Sequence, residues 1–332
     1  MVDILQSSDE FRHEPESGVN WQENYVWHAW DADRCSGWYF HLGHIHDEGI
    51  VDVRAMVIVD GVVASATVQT SGDDCLGVPG LAADVVRPME QIRLRYDGMG
   101  AVGPDSQGFF GAQSGETAFG FDIEMVSEHQ PVNWSPHDAI IGLDPKVAGN
   151  HYEAGARWSG RLRVGDREIE AAGLLVRDHS WGARQWSKGT TGGYWAPMVF
   201  DGGRRFFSGC IALIDGEWRT FTVQADSGGI VDVSYDNWVR LNGPLVPRQF
   251  NSASLLRFLD GRMERYDYAG QINFAFARHA SFKDQGAERR GLADLYSVIR
   301  SGEALGFGTL QHMTRGGLVQ QGFDDPLPAV IA

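Results

Sequence analysis

The sequence predicts an all-β protein made of antiparallel sheet, with few short helices. Three observations support this prediction: the composition, turn-forming residue pairs at strand spacing, and a long segment in which apolar and polar residues alternate. The 332 residues include 42 Gly, 17 Phe and 11 Trp, which is typical of tight turns and strands rather than long helices. A chain of this length forms one large domain or two of ordinary size.

Pairs of aspartate and glycine separate the β-rich segments. An Asp-Gly dipeptide supplies the positive φ that tight hairpin turns require. The β-rich segments cover residues 50–59, 62–70, 194–200, 205–213 and 218–225. The turn pairs are Asp60-Gly61, Gly165-Asp166, Asp201-Gly202, Asp215-Gly216 and Asp260-Gly261. Turn pairs at this spacing predict up-and-down antiparallel sheet.

Residues 151–164 alternate between two kinds of side chain. One face carries Tyr152, Ala154, Ala156, Trp158, Gly160, Leu162 and Val164. The other carries His151, Glu153, Arg157, Ser159, Arg161 and Arg163. This period of two predicts a strand with one apolar face, paired with residues 167–177 as a hairpin. On the polar face, Glu153 and Arg157 are interpreted as a surface ion pair of little energetic value.

Helix signals are few, which argues against a doubly wound α/β fold because that fold needs a long helix between strands. Residues 292–300 predict one short helix. The sequence contains no GxxxxGK[ST] phosphate loop. Residues 126–149 are rich in Pro, Asn, Asp and His and are expected to form a connection. We predict two halves, residues 1–185 and 186–332.

Charge and cysteine content restrict the partners and the compartment. The net charge of −16 repels phosphate backbones and anionic lipids, so nucleic acid is not an expected partner. Cys35, Cys75 and Cys210 show no CxxC spacing, which favours a reducing compartment. The first ten residues do not resemble a signal peptide, and no apolar run reaches the ~20 residues of a membrane span. We expect a cytoplasmic protein; its oligomeric state, a homodimer included, stays open.

The densest cluster of reactive side chains covers residues 177–186. It contains Asp178, His179, Ser180 and Arg184, together with two tryptophans. A buried aspartic acid beside apolar rings keeps its proton and can donate it to an alkene, a carbonyl or a leaving hydroxyl. Indole faces can stabilise a developing cation. The alternative is a structural corner in which Asp178 and Arg184 are hydrogen-bonded and the tryptophans belong to the core.

A second cluster lies in residues 38–46. His44 and His46 share one strand face, whereas His41 lies on the opposite face with Tyr39. A His-x-His pair can bind a metal ion if a third ligand is supplied from elsewhere. Such histidines are otherwise exposed hairpin residues or neutral, hydrogen-bonded pocket residues.

Three segments resemble a known family. Residues 151–186, and above all the GLLVRDHSWG corner at 173–182, resemble a bacterial family similar to the carotenoid 1,2-hydratases and the AttH-like, lipocalin-like proteins. The SGWYFHLG segment at 36–43 resembles the family's early strand, and GEALGFGTLQH at 302–312 resembles its closing strand. The chain departs from the hydratases at Ser180, where they carry Glu, and at Gln311, where Glu is common in the closing strand.

The resemblance implies two lipocalin-like antiparallel β-barrel or sandwich halves packed together, holding one small apolar ligand. Relatives of this kind include cofactor-free hydratases and cyclases of terpenoid chains, Diels–Alder catalysts among them. The leading hypothesis is therefore a cofactor-independent lyase, hydratase or isomerase that uses acid–base chemistry on an isoprenoid or aromatic molecule. We predict neither a cofactor nor a metal ion.

Residue roles follow from this hypothesis. Asp178 would be the general acid or would hold His179, His179 would transfer protons, and Arg184 would orient Asp178 or a substrate oxygen. The substrate would contact Trp38, Tyr39, His41, Tyr152, Trp181 and Trp186. Two alternatives remain open: a non-catalytic carrier of a lipid or terpenoid, and a metal-dependent enzyme that uses His44 and His46.

Overall fold

A computed structural model describes residues 5–16, 20–72, 76–104, 115–134, 150–183, 192–214, 217–237, 251–258, 260–277 and 291–314. Within these ranges the chain is almost entirely β-strand. The helical segments there are short 3-10 turns at Ser7–Glu10, His46–Glu48 and Asp201–Gly203. None of the helices in the described ranges has the length and apolar character needed to cross a membrane.

The first sheet has ten antiparallel strands. They are β1 (Trp21–Asp31), β2 (Ser36–Ile45), β3 (Ile50–Val59), β4 (Val62–Ser71), β5 (Leu81–Arg87), β6 (Gln91–Pro104), β7 (Glu116–Val126), β8 (Val132–Asn133), β9 (Asn150–Val164) and β10 (Arg167–Ala183). Their order is β10-β1-β2-β3-β4-β6-β7-β9-β8, with β5 paired to β6. Because β10 also pairs with β9, the sheet closes into a first barrel.

The second sheet has nine antiparallel strands. They are β11 (Gly192–Trp195), β12 (Met198–Phe200), β13 (Arg205–Ile214), β14 (Glu217–Asp226), β15 (Gly229–Asn237), β16 (Asn251–Phe258), β17 (Met263–Ala277), β18 (Gly291–Ser301) and β19 (Ala304–Thr314). The pairing of β13 with β14 closes this sheet into a second barrel. The prediction of an all-β, lipocalin-like fold is confirmed, while the boundary at 185/186 falls outside the described residues and stays a prediction.

Turn chemistry explains most of the predicted hairpins. At Asp60-Gly61, between β3 and β4, φ is 50° and 73°, the left-handed region that tight turns use. Gly165-Asp166 joins β9 to β10, Asp201-Gly202 joins β12 to β13, and Asp260-Gly261 joins β16 to β17. Asp215-Gly216 lies outside the described residues.

The short helix predicted over residues 292–300 is wrong. These residues belong to β18, which is hydrogen-bonded to β17 on one side and to β19 on the other. An isolated helix of this length is marginal in water. Two backbone ladders and the burial of Tyr296 and Ile299 therefore outweigh the local helix preference.

Two apolar clusters account for much of the packing. The first fills the first barrel and includes Tyr25, Trp27, Trp38, Phe40, Phe121 and Trp158. The second lies between the barrels and includes Trp30, Tyr39, Met56, Val176, Trp195, Val199, Phe206, Tyr296 and Phe307. Across this interface the Tyr296 hydroxyl donates to the backbone oxygen of Trp38 at 3.0 Å. The second barrel thus covers the outer face of several strands of the first.

This coverage corrects the interpretation of β9. The alternation holds for its apolar face, but Glu153 on the polar face has no exposed surface. Arg157 instead pairs with Glu128 at 2.9 Å near the surface. The predicted surface ion pair between Glu153 and Arg157 is therefore wrong, because the second barrel lies over the part of β9 that contains Glu153.

Candidate functional site

The motif around Asp178 divides between the two faces of β10. Because successive strand residues point to opposite faces, Asp178 points toward the second barrel and His179 toward the first. Asp178 contacts the ring of His151. His179 Nε2 lies 3.0 Å from an oxygen of Glu23. The geometry therefore gives Asp178 and His179 different partners, where the sequence suggested that one holds the other.

Asp178 belongs to a compact polar group at the interface, which we call the interface cluster: His151, Glu153 and Asp178. His151 and Glu153 are two residues apart on β9 and so share its outer face, and Glu153 pairs with Asp178 in the β9–β10 register. His151 Nε2 contacts the Asp178 carboxylate and lies 3.4 Å from Glu153 Oε1. One imidazole nitrogen thus lies within reach of both carboxyl groups.

Residues of the second barrel complete the cluster. The Trp195 indole N–H donates to Glu153 Oε1. The Ser208 hydroxyl donates to Glu153 Oε2 at 2.6 Å and accepts from the indole N–H of Trp134 at 3.0 Å. The Trp134 ring also lies 4.1 Å from the ring of His151. A carboxyl group of the first barrel is therefore fixed largely by donors from the second.

Burial and the nearby charge of Asp178 raise the pKa of Glu153 well above its usual range, against the opposing effect of the hydrogen bonds from Ser208 and Trp195. Two carboxylates this close in an apolar environment cannot both ionise without a large cost. The interface cluster therefore favours the protonated form of Glu153, which lies in contact with His151 and adjacent to Asp178.

A neutral histidine borders the same interface. Burial lowers the pKa of His28 to about 3, against the opposing charge of Asp178. The centroids of the Tyr39, Trp195 and Tyr296 rings lie 5.0, 5.3 and 5.6 Å from that of His28. The surroundings of the carboxyl groups are thus aromatic, with a ring that stays uncharged.

The residues predicted to bind substrate separate into different environments. Tyr39 faces the interface, and His41, on the same face, lies 3.3 Å from Asn24. Trp38 is fully buried in the first barrel, with its ring 4.7 Å from that of Phe121, as expected of a core residue. Arg184 and Trp186 lie outside the described residues, so their predicted roles stay predictions.

A second group of residues, which we call the end cluster, lies at one end of the first barrel. It consists of Glu10, His13, Glu23, Tyr152, Arg177, His179 and Trp181. Arg177 donates to both oxygens of Glu10 at 2.9 and 2.7 Å and to the Tyr152 hydroxyl at 2.5 Å. Trp181 stacks on His13 with 3.8 Å between ring centroids. This group is on the other side of β10 from the interface cluster.

Sequence reasoning did not identify His28, Trp134, His151, Glu153 or Trp195 as site residues. His151 and Glu153 are on β9, whose predicted partner strand ended at Arg177, one residue before Asp178. The structure extends that pairing, so that Asp178 lies opposite Glu153. Alternation alone assigned His151 and Glu153 to solvent, because it cannot show that a second barrel covers that face.

Metal-ligating atoms converge at two places in the described ranges. Three such atoms lie within 4.8 Å of one another in the interface cluster, and likewise in His13, Glu23 and His179. His44 and His46, whose ring centroids are 5.6 Å apart, belong to neither group. Among the described residues, the pair has not gained the third ligand that its metal hypothesis requires.

Comparisons with known proteins agree with this architecture. A family model described as "Domain of unknown function (DUF7064)" matches residues 6–249. No curated protein sequence matches the chain. Several solved structures resemble the chain at less than 25% identity, and a likeness at that level shows the fold alone.

Three of these structures cover most of the chain. A Nitrosomonas europaea protein described as an AttH is 12% identical, with a TM-score of 0.56 and coverage of 91% of this chain and 94% of that chain. CghA, solved with Sch210972, is 10% identical, with a TM-score of 0.55 and coverage of 89% and 88%. Kievitone hydratase from Nectria haematococca is 9% identical, with a TM-score of 0.51 and coverage of 95% and 94%. The predicted AttH-like, lipocalin-like fold is confirmed.

Proposed function

The chain belongs to the family described as domain of unknown function DUF7064, and from that premise we propose that it is a hydratase-like lyase or isomerase acting on a hydrophobic small molecule. The reaction takes place at the interface cluster. The observation that carries the proposal is the pair of adjacent carboxyl groups, Glu153 and Asp178, joined by His151 in aromatic surroundings.

The two carboxyl groups differ in how far they reach solvent. The Asp178 side chain is 15% exposed, whereas that of Glu153 has no exposed surface. Asp178 is therefore the member that faces a substrate, and Glu153 is the proton reserve behind it. His151 lies near both carboxyl groups and carries the proton from Glu153 to Asp178, because an imidazole can accept a proton from one group and donate it to another.

Acid–base chemistry follows from this arrangement. In the hydration direction, Asp178 gives a proton to an alkene carbon, water adds to the cation that forms, and the proton that the added water loses returns to the Asp178 carboxylate. In dehydration, Asp178 protonates the leaving hydroxyl and a neighbouring C–H proton returns to the cluster. In isomerisation, both proton transfers take place on the substrate carbon skeleton. Each course balances without an electron acceptor, so a redox cofactor is not required.

The aromatic surroundings favour an apolar substrate. The rings of Tyr39, Trp134, Trp195 and Tyr296 line the interface, and ring faces stabilise positive charge that develops in a site shielded from water. We propose an isoprenoid or aromatic substrate on this basis. A structure with the same fold is named as a hydratase, which supports the reaction class by fold analogy.

The test compares wild type with Asp178→Asn and Glu153→Gln, each verified as folded by circular dichroism. Every protein is incubated with a panel of isoprenoid and aryl alkenes and alcohols in ¹⁸O-labelled water, and products are followed by mass spectrometry. Asp294→Asn is the matched control, because Asp294 is about as buried as Glu153 but contacts Thr309 and Gln311 instead of the cluster.

We expect label uptake, loss of water or an isomer shift with wild type and Asp294→Asn, and a rate reduced by at least about 100-fold in both cluster variants. Folded cluster variants that react at the wild-type rate would overturn the proposal. If wild type transforms no compound in the panel but retains one through gel filtration, the carrier of a lipid or terpenoid becomes the better hypothesis.

A further inference from the structure

An N-terminal segment closes one end of the first barrel. This segment, residues 5–16, precedes β1 and carries Glu10 and His13. Glu10 accepts hydrogen bonds from Arg177 on β10 and from the backbone N–H of Met89, beyond β5, at 2.6 Å. The segment therefore extends across the barrel end from β10 to the β5–β6 turn, and it places His13 beside residues of β1 and β10.

We propose that His13, Glu23 and His179 form a binding site for a transition-metal dication of the zinc class. His13 Nδ1 lies 2.8 Å and His179 Nε2 3.0 Å from the same oxygen, Glu23 Oε1. Four-coordinate zinc, with bonds of about 2.0–2.1 Å to nitrogen, separates its ligand atoms by about 3.3 Å. All three ligand atoms lie within 4.8 Å of one another, so small movements of the side chains would arrange them around an ion. Two imidazoles and one carboxylate are donors that suit Zn²⁺, Ni²⁺ or Cu²⁺.

Charge favours a cation at this position. The end cluster buries two carboxyl groups, Glu10 and Glu23, and one guanidinium, Arg177, which is directed at Glu10. Glu23 is left facing two imidazole nitrogens, each of which must carry a proton to hydrogen-bond with it. A dication replaces these two protons and satisfies all three ligand atoms with one centre.

Neighbouring groups hold the ligands in orientation. Asp9 Oδ1 lies 3.6 Å from the second ring nitrogen of His13, where a carboxylate commonly supports a metal-bound imidazole. The ring of Tyr25 stacks on that of His179 with centroids 3.9 Å apart, and its hydroxyl lies 3.5 Å from Glu23. His13 is partly exposed, at 19% of its side chain, so an ion can reach the site from solvent and keep a water ligand.

The interface cluster is the poorer metal site. Both oxygens of Glu153 already accept hydrogen bonds, from Trp195 and from Ser208. Glu23 also accepts from the backbone N–H of His13, at 3.2 and 3.3 Å to its two oxygens, but its shortest side-chain contacts are with the two imidazoles that would share the ion. The proposed metal site also lies on the opposite face of β10 from Asp178. A failure of the metal-site proposal would therefore leave the hydratase proposal untouched, and the reverse also holds.

The test is metal binding by the full chain, with Zn²⁺ and Co²⁺ as the probes. The protein is stripped with a chelator and titrated calorimetrically with Zn²⁺, and Co²⁺ loading is followed by visible absorption. We expect one ion per chain, Co²⁺ bands typical of low coordination number, and a rise in Tm on adding Zn²⁺. His13→Gln is expected to bind at least about tenfold more weakly and to fold, because His13 lies outside the sheets.

Two controls make the result decisive. His46→Gln removes another half-buried histidine and should bind as wild type does. Asp178→Asn should also retain binding, since it alters only the interface cluster. Absence of stoichiometric binding by wild type, unchanged affinity in His13→Gln, or loss of binding in Asp178→Asn would each overturn the proposal.

Discussion

Glu153 and Asp178 face each other across the β9–β10 pair, and the ring of His151 contacts both carboxyl groups. Residues 25 positions apart in the chain are brought together by hairpin register alone. The second barrel then removes them from water and supplies Trp195 and Ser208 as donors to Glu153. The buried position that raises the pKa of Glu153 therefore depends on both barrels.

The raised pKa of Glu153 leads to a prediction about pH. Its folded pKa is raised above the unfolded value of 4.5, so the folded state keeps a proton that the unfolded chain releases. Stability from this group is greatest below the unfolded pKa and is lost as pH rises through the folded one. Glu153→Gln, which imitates the neutral acid, should show a flatter stability profile between pH 5 and 8 in urea unfolding.

Glu153→Gln should also be at least as stable as wild type at pH 8. The control is Glu124→Gln on the surface of β7, which should leave the slope of the profile unchanged. A variant whose slope matches wild type would mean that Glu153 is ionised in the folded protein.

Asp294 gives a second, separable pH effect. Burial raises the pKa of this carboxyl to about 7, against an ordinary value of 3.8, even though Thr309 and Gln311 donate to it. Raising the pH from 5 to 8 should therefore destabilise wild type relative to Asp294→Asn by about 2 kcal/mol. Thermal unfolding of both proteins at these pH values measures the difference. Parallel curves would show that Asp294 titrates near its ordinary pKa.

Ser208 should contribute to stability through its hydrogen bonds. Ser208→Ala removes the donor to Glu153 and the acceptor of the Trp134 indole N–H, which leaves two buried polar groups with one partner fewer. We expect a loss of about 1–3 kcal/mol in the free energy of unfolding. Ser297→Ala is the matched control, because Ser297 is equally buried but its hydroxyl makes no hydrogen bond with the described residues. Equal losses in both variants would argue against the network.

The parts of this structure that sequence predicts are those decided locally. Asp60-Gly61 determines a turn by its own backbone preference, and the alternation of β9 reflects the inside of one barrel. The position of Glu153 depends instead on Trp195 and Ser208, 42 and 55 residues away. No local pattern reports that such residues cover the outer face, so the sequence placed Glu153 at the surface.

The same limit applies to residues 292–300, which favour a helix locally but form β18 because β17 and β19 flank it. The candidate site was therefore predicted in part. Asp178 was identified from the chemistry of its motif, whereas its partners His151 and Glu153 required the packing of both barrels.

Arg177 and Glu10 provide the strongest test of how the N-terminal segment is held. Both side chains are buried, at 5% and 3% exposure, and Arg177 Nη2 lies 2.7 Å from Glu10 Oε2. Removing one partner of a buried pair leaves the other charge uncompensated, so Arg177→Met should cost about 3–5 kcal/mol in urea unfolding. Arg161→Met, which breaks an exposed pair with Asp122, should leave the free energy of unfolding almost unchanged.

Glu10→Gln tests whether the N-terminal segment can detach from the first barrel while the rest of the fold keeps its stability. It keeps the shape of Glu10 but removes the charge that faces Arg177, so residues 5–16 should detach from the barrel more often than in wild type. Hydrogen exchange of backbone amides should then accelerate in this segment and at Met89, whose N–H donates to Glu10, while β13 and β14 keep wild-type rates. Uniform acceleration across both barrels would indicate that the ion pair supports the whole fold instead of anchoring this segment.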